Sequence, residues 1–144
     1  MNARQKNLIF VLAASLQACA PMAYRQQVDN LRAVSIAEVK GYAYGTKLHL
    51  EEHGEGKTLH VALDRVRSKL RDPDSAKFQD VRIVDYNEGK VVCGKVNGKN
   101  AYGGYAGFTS FAAGMHGASL ADNSSRYNEI NIYGNAGIAQ ACGY

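Results

Sequence analysis

The sequence predicts an α+β domain: one amphipathic helix packed on a small antiparallel β-meander, placed after a signal peptide and a tether. Three observations lead there. Leu59, Ala62, Leu63, Val66 and Leu70 recur at the i, i+3, i+4, i+7, i+11 spacing of a single helical face. Two apolar runs, Lys77 to Tyr86 and Lys90 to Asn97, flank the turn chemistry of Asn87-Glu88-Gly89. Removing the first 18 of 144 residues as a signal leaves 126, enough for one modest core.

The first element is the signal, Met1 to Ala18. Arg4 and Lys6 make a short cationic start, and Leu8 to Leu16 (LIFVLAASL) is an uninterrupted apolar run. That run falls well short of the roughly 20 apolar residues a membrane-spanning helix needs. Leu16-Gln17-Ala18-Cys19 then resembles the lipobox of bacterial lipoproteins, in which the signal is cut just before the cysteine and its thiol receives a lipid. The resemblance implies Cys19 as the lipid attachment residue. Ala20, where an aspartate would retain the protein at the inner membrane, implies the periplasmic face of the outer membrane. Cleavage after Ala20 is the competing reading and gives a soluble periplasmic protein, though it leaves Pro21 as the first residue. An uncleaved chain is the third.

Residues 19–56 carry little pattern and read as a weakly structured tether, with at most a short polar helix over Tyr24 to Arg32, its apolar stripe limited to Val28 and Leu31, and a short strand around Lys47 to Leu50. Gly41, Gly45, Gly54 and Gly56 punctuate it. The domain proper spans residues 57–144. Its helix starts with Thr58 as N-cap and stops before Pro73, since the residue preceding a proline is pushed out of the helical region. The first strand alternates Val81 and Ile83 on one face with Phe78, Val84 and Tyr86 on the other. A hairpin loop of three or four residues leads to the second strand, with Val91, Val92, Cys93 and Val96. Asn97-Gly98-Lys99-Asn100 supplies a second turn before a strand over Ala101 to Phe111. Gly114 to Tyr127 reads as loop, and Glu129 to Tyr133 as a last short strand.

With Cys19 assigned to the anchor, Cys93 and Cys142 remain. In an oxidising compartment an isolated pair in a small domain is most simply a disulfide. Two free structural thiols, or Cys93 as a nucleophile, are the alternatives. Charge excludes one class of partner. The whole chain has 17 basic and 13 acidic side chains, but Arg4 and Lys6 leave with the signal, so the mature chain carries about +2 and no dense basic run. Nothing electrostatic points to nucleic acid.

Two stretches, Leu70-Arg71-Asp72-Pro73-Asp74-Ser75-Ala76-Lys77-Phe78 and the run from Val92 through Cys93-Gly94-Lys95-Val96-Asn97-Gly98-Lys99-Asn100 to Phe108, carry a second resemblance. Together they are similar to small secreted or lipid-anchored bacterial proteins, some prophage-borne, with a DPDSAKF passage followed by CGxVNxKNxxGGYxGF. The resemblance covers about Leu59 to Phe111 and implies no activity. The residues themselves suggest a tight turn around Pro73, with Ser75 starting a single helical turn. Gly94, Gly103, Gly104 and Gly107 suggest bulges or close backbone approach, with aromatic rings covering the gaps. Asn97, Lys99, Asn100, Tyr102 and Tyr105 either build turns or form an exposed recognition surface.

His49-Leu50-Glu51-Glu52-His53 fits the H-x-x-E-H order of inverted zinc peptidases, but the run is short and bracketed by glycines, so surface histidines are expected. No cofactor and no metal is expected. The functional expectation is a non-catalytic envelope lipoprotein that binds a partner or modifies the envelope. The membrane, through the lipid, and an envelope protein are its expected partners. The alternative is a small envelope hydrolase using His49, Glu52 and His53, or Cys93.

Overall fold

The computed structural model describes the backbone of residues 3–124 and 128–144, and side chains from Met22 onward, so the side chain of Cys19 lies outside it. Among the described residues eight elements follow one another: helix α1 (Ala3–Arg67), a 3-10 turn (Pro73–Ser75), strands β1 (Lys77–Tyr86), β2 (Gly89–Asn97), β3 (Thr109–Ala113) and β4 (Ala118–Leu120), and helices α2 (Asn128–Gly134) and α3 (Ala136–Cys142). The strands form one antiparallel sheet in the order β1-β2-β3-β4. The architecture is α+β, with an antiparallel meander as its sheet.

Helix α1 is the largest departure from the sequence reading. The expected tether and its short strand are helical, and the helix is interrupted only at Gly54, whose φ of 79° turns the chain into a second arm. The second arm, residues 55–67, is the amphipathic helix that the spacing predicts, with Ala62 and Val66 fully buried. The first arm buries Val28, Ser35, Val39, Tyr42 and Thr46, steps of seven, four, three and four residues along one face. Ser35, Tyr42 and Thr46 are polar, which hides the stripe from a hydrophobicity reading. Thr46 satisfies its hydroxyl by donating to Tyr42 O at 2.7 Å. Thr58 is inside the second arm rather than at its N-cap, and donates back to Gly54 O at 2.8 Å.

The kink lets one chain cover both faces of the sheet. Alternate residues of a strand point to opposite faces. Val91 and Cys93 of β2 pack with Val39, Tyr42, Ala43, Ile138 and Cys142. Val92 and Val96 pack with Ala62, Val66, Phe111, Ala113 and Met115. Helix α3 and the first arm therefore close one face, and the second arm closes the other. The Cys93–Cys142 disulfide ties the centre of β2 to the end of α3, with Cα atoms 5.6 Å apart.

In β1 a bulge interrupts the register between Gln79 and Arg82, where Asp80 adopts φ 55°. It moves Phe78 onto the same face as Val81 and Ile83, while Val84 and Tyr86 stay on the other. The hairpin loop is shorter than expected. Tyr86 pairs with Gly89, leaving Asn87 and Glu88 as a two-residue turn with φ of 47° and 61°, the type I′ form that suits strand twist. The stretch expected to be loop after Gly114 contains β4, joined to β3 by a turn in which Gly114 N–H donates to Gly117 O. Glu129 to Tyr133, expected as a strand, is helical and packs on α1 instead of the sheet edge. Ile130, Asn131 and Tyr133 are its half-buried residues, and Ile132 is exposed.

Tyr42 anchors this packing. Its hydroxyl donates to Glu38 Oε1 at 2.9 Å, so the 3.0 Å contact with Ser119 Oγ has serine as donor. Burial pushes the Tyr42 hydroxyl up to about 12, and it stays protonated through the physiological range. Glycine sets how closely α3 approaches α1. Gly137 N–H donates to Ser35 Oγ at 2.9 Å, and a Cβ at Gly137 would collide with the backbone carbonyl of Ser35. Neither backbone can yield locally, so Gly137→Ala is expected to cost about 1–3 kcal/mol in urea denaturation. A variant as stable as the parent would show that the two helices do not meet at this distance.

Candidate functional site

Two places carry exposed side chains of the kinds that bind. The first is the long connection between β2 and β3, residues 98–108, where the sequence reading places a turn and then a strand over Ala101 to Phe111. Asn100 is why it is a loop. Its Oδ1 accepts from Tyr102 N–H at 2.9 Å and Gly104 N–H at 3.1 Å, so the backbone folds around the side chain rather than joining the sheet. Gly103 and Gly107 take φ of 78° and 104°, which β-branched or aromatic residues would resist.

The 3-10 turn of Pro73–Ser75 supports this loop. Ser75 Oγ accepts from Lys99 N–H at 2.8 Å, and Ser75 O accepts from the Tyr105 hydroxyl at 3.2 Å. Lys77 Nζ stands 4.3 Å from the Tyr105 ring centre, and Lys99 Nζ 6.0 Å from it, both in cation–π range. The two stretches that carry the sequence resemblance are therefore in contact. The same loop exposes Tyr102, at 96%, and, to a lesser degree, Tyr105 and Phe108.

The five residues named from sequence divide accordingly. Asn100 builds the loop. Asn97, at the end of β2, is partly buried, with its Oδ1 lacking a hydrogen-bond partner. Lys99, Tyr102 and Tyr105 are the surface. Sequence reasoning missed Ser75 and Lys77, which hold Tyr105, and Phe108. The signal for Ser75 and Lys77 was the DPDSAKF stretch, read as a turn alone and not as a neighbour of the aromatic run that ends at Phe108.

The second place is the elbow at Gly54. His49, His53, Gly56, Lys57, His60 and Val61 line an open groove of about 420 Å³. His49 and His53 are one helical turn apart and meet edge to face, with ring centres 4.5 Å apart. Among the described residues no group of three or more His, Cys, Asp or Glu side chains is placed to hold a metal ion, so the H-x-x-E-H order does not make a three-ligand centre. Cys93, the other catalytic candidate, is held in the disulfide and is fully buried.

Among the described residues no helix is long and apolar enough to cross a membrane. No model of a protein family matches the chain, and neither a curated protein nor a solved structure shows significant similarity to it.

Proposed function

We propose that this protein is a non-catalytic binding module of the bacterial envelope, tethered by a lipid on Cys19 and recognising a partner through the 98–108 loop. The observation that carries the reading is the combination of exposure and rigidity at that loop. Tyr102 is almost fully exposed on a backbone fixed by Asn100, and Tyr105 is fixed by Ser75 and Lys77. Tyr105, held by Ser75 and flanked by two lysines, loses little conformational entropy on binding, and tyrosine is among the residues that recur at interface hot spots. Confinement to a membrane surface would raise the effective concentration of the module near envelope partners. The proteins it resembles in the DPDSAKF and CGxVN stretches are themselves secreted or lipid-anchored, in keeping with the outer membrane as its place of work.

In-cell crosslinking tests this directly, comparing the full-length protein with Cys19→Ser and Tyr102→Ala. Tyr102 touches little of the fold, so its truncation should leave the melting temperature unchanged. Capture of an envelope protein is expected from the parent, with affinity reduced about 30-fold in Tyr102→Ala, the effect of about 2 kcal/mol usual for an aromatic hot spot. Cys19→Ser is expected to lose the complex by losing the membrane. Equal capture by Tyr102→Ala, or no capture by any form, would refute the proposed surface.

A further inference from the structure

The elbow at Gly54 has a feature that surface histidines do not need: one imidazole has its tautomer set by a neighbour. Thr58 donates its only hydroxyl proton to Gly54 O at 2.8 Å. The 2.9 Å contact between Thr58 Oγ1 and His49 Nδ1 can then be a hydrogen bond only if His49 donates. Neutral His49 therefore carries its proton on Nδ1 and its lone pair on Nε2. An imidazole whose far nitrogen donates to a fixed oxygen is oriented as the histidine ligands of metal sites are. His53 follows at i+4 on the same helical face, and its ring already faces that of His49 across 4.5 Å. Glu52 Oε1 lies 3.7 Å from His53 Nε2 and adds negative charge beside the pair. Lys57, on the rim of the same groove, opposes it. His60 is engaged elsewhere, with Nε2 3.4 Å from Asp64 Oδ2.

We propose that His49 and His53 form a two-imidazole chelate for a divalent late transition metal, zinc or copper, with Thr58 as the positioning residue for His49. The Nε2 lone pair of His49 and one ring nitrogen of His53 replace two metal-bound waters, and the remaining coordination positions stay with solvent in the open groove. The His49 Nδ1 proton stays on its hydrogen bond to Thr58. Imidazole ligands favour copper and zinc over magnesium and calcium, and copper over zinc. This site is independent of the 98–108 surface and needs no catalytic step.

The test is calorimetric titration of the tag-free, full-length protein in detergent micelles with Zn²⁺, Cu²⁺ and Mg²⁺. One equivalent of zinc or copper is expected to bind, copper more tightly, and magnesium not at all. His53→Ala should weaken zinc binding at least tenfold. Thr58→Val, which keeps the shape but loses the acceptor oxygen, should weaken it about tenfold, as loss of an orienting partner usually does. His60→Ala should leave affinity within twofold. Nitrogen-detected NMR of the metal-free protein should show His49 in the Nδ1–H form. The His53 side chain is 38% exposed and outside both buried core clusters, so a fold intact by circular dichroism is expected in its variant. Wild-type affinity in His53→Ala, or in Thr58→Val, overturns the chelate or its positioning residue respectively.

Discussion

Removing the Cys93–Cys142 bridge is expected to lower stability by about 4 kcal/mol, the value for closing a loop of this length in the unfolded chain. The two residues are 49 apart in sequence, and both are buried, at 0% and 4% exposure. The effect should fall unevenly. Helix α3 has only seven residues, too few to be helical by itself, and its lasting contacts are with α1 and the sheet. Without the bridge it is held by Ile138, by the Gly137–Ser35 contact, and by Arg82 Nη2 donating to Cys142 O at 2.6 Å. Paired Cys93→Ala and Cys142→Ala substitutions avoid leaving a free thiol. Urea denaturation gives the stability change, and hydrogen exchange should show α3 amides exposed before those of β2. A loss below about 1 kcal/mol would mean that the native contacts, not the bridge, confine the C-terminus.

The disulfide, the second arm of α1 and the β1–β2 hairpin were all legible in the sequence because each has a short-range or countable signature. Val66 and Ala62 repeat with helical spacing, Val81 and Ile83 alternate, and two cysteines remain once Cys19 is set aside. Beyond Tyr24 to Arg32, readable as a short polar helix, the first arm of α1 was not legible, because its buried face uses Ser35, Tyr42 and Thr46, and because Gly41 and Gly45 look like breaks. Both glycines sit inside the helix. Gly45 leaves room for the His116 ring, which a Cβ would meet at 2.6 Å. Gly89 likewise receives the backbone of Ala43, so a turn glycine serves a tertiary contact as well. The segment 128–134 alternates its isoleucines as a strand would. The choice of helix is made by packing on α1, with Tyr24 donating to Glu129 at 3.0 Å, which no local pattern announces. At the 98–108 loop, the residue types were visible and their arrangement was not. Asn100 organises the loop through its own neighbours, but how Lys99 and Tyr105 are held depends on Ser75, more than 20 residues away in sequence.

A double-mutant cycle at Gly94 and Phe111 should show strong non-additivity. Gly94 lies opposite Phe111 across β2 and β3, and beside the β1 bulge. The Phe111 side chain is fully buried, and its ring occupies the space where a Gly94 side chain would be. A Cβ at Gly94 would meet Phe111 Cζ at 2.8 Å and Gln79 O at 3.2 Å. Gly94→Ala alone should therefore cost about 1–3 kcal/mol by forcing the ring off its site. Phe111→Ala alone should cost about 3–5 kcal/mol, from lost burial and the cavity left behind. In the double variant the ring no longer opposes the new methyl. Only the 3.2 Å approach of Gln79 O remains, and alanine recovers the roughly 0.5–1 kcal/mol that glycine sacrifices inside a strand. The second substitution should then be close to neutral, giving a coupling of at least 1 kcal/mol by thermal or urea denaturation. Additive costs would mean that the ring and the glycine do not share this space. The aromatic cover over Gly94 would then not be what fixes the packing of the sheet against the second arm of α1.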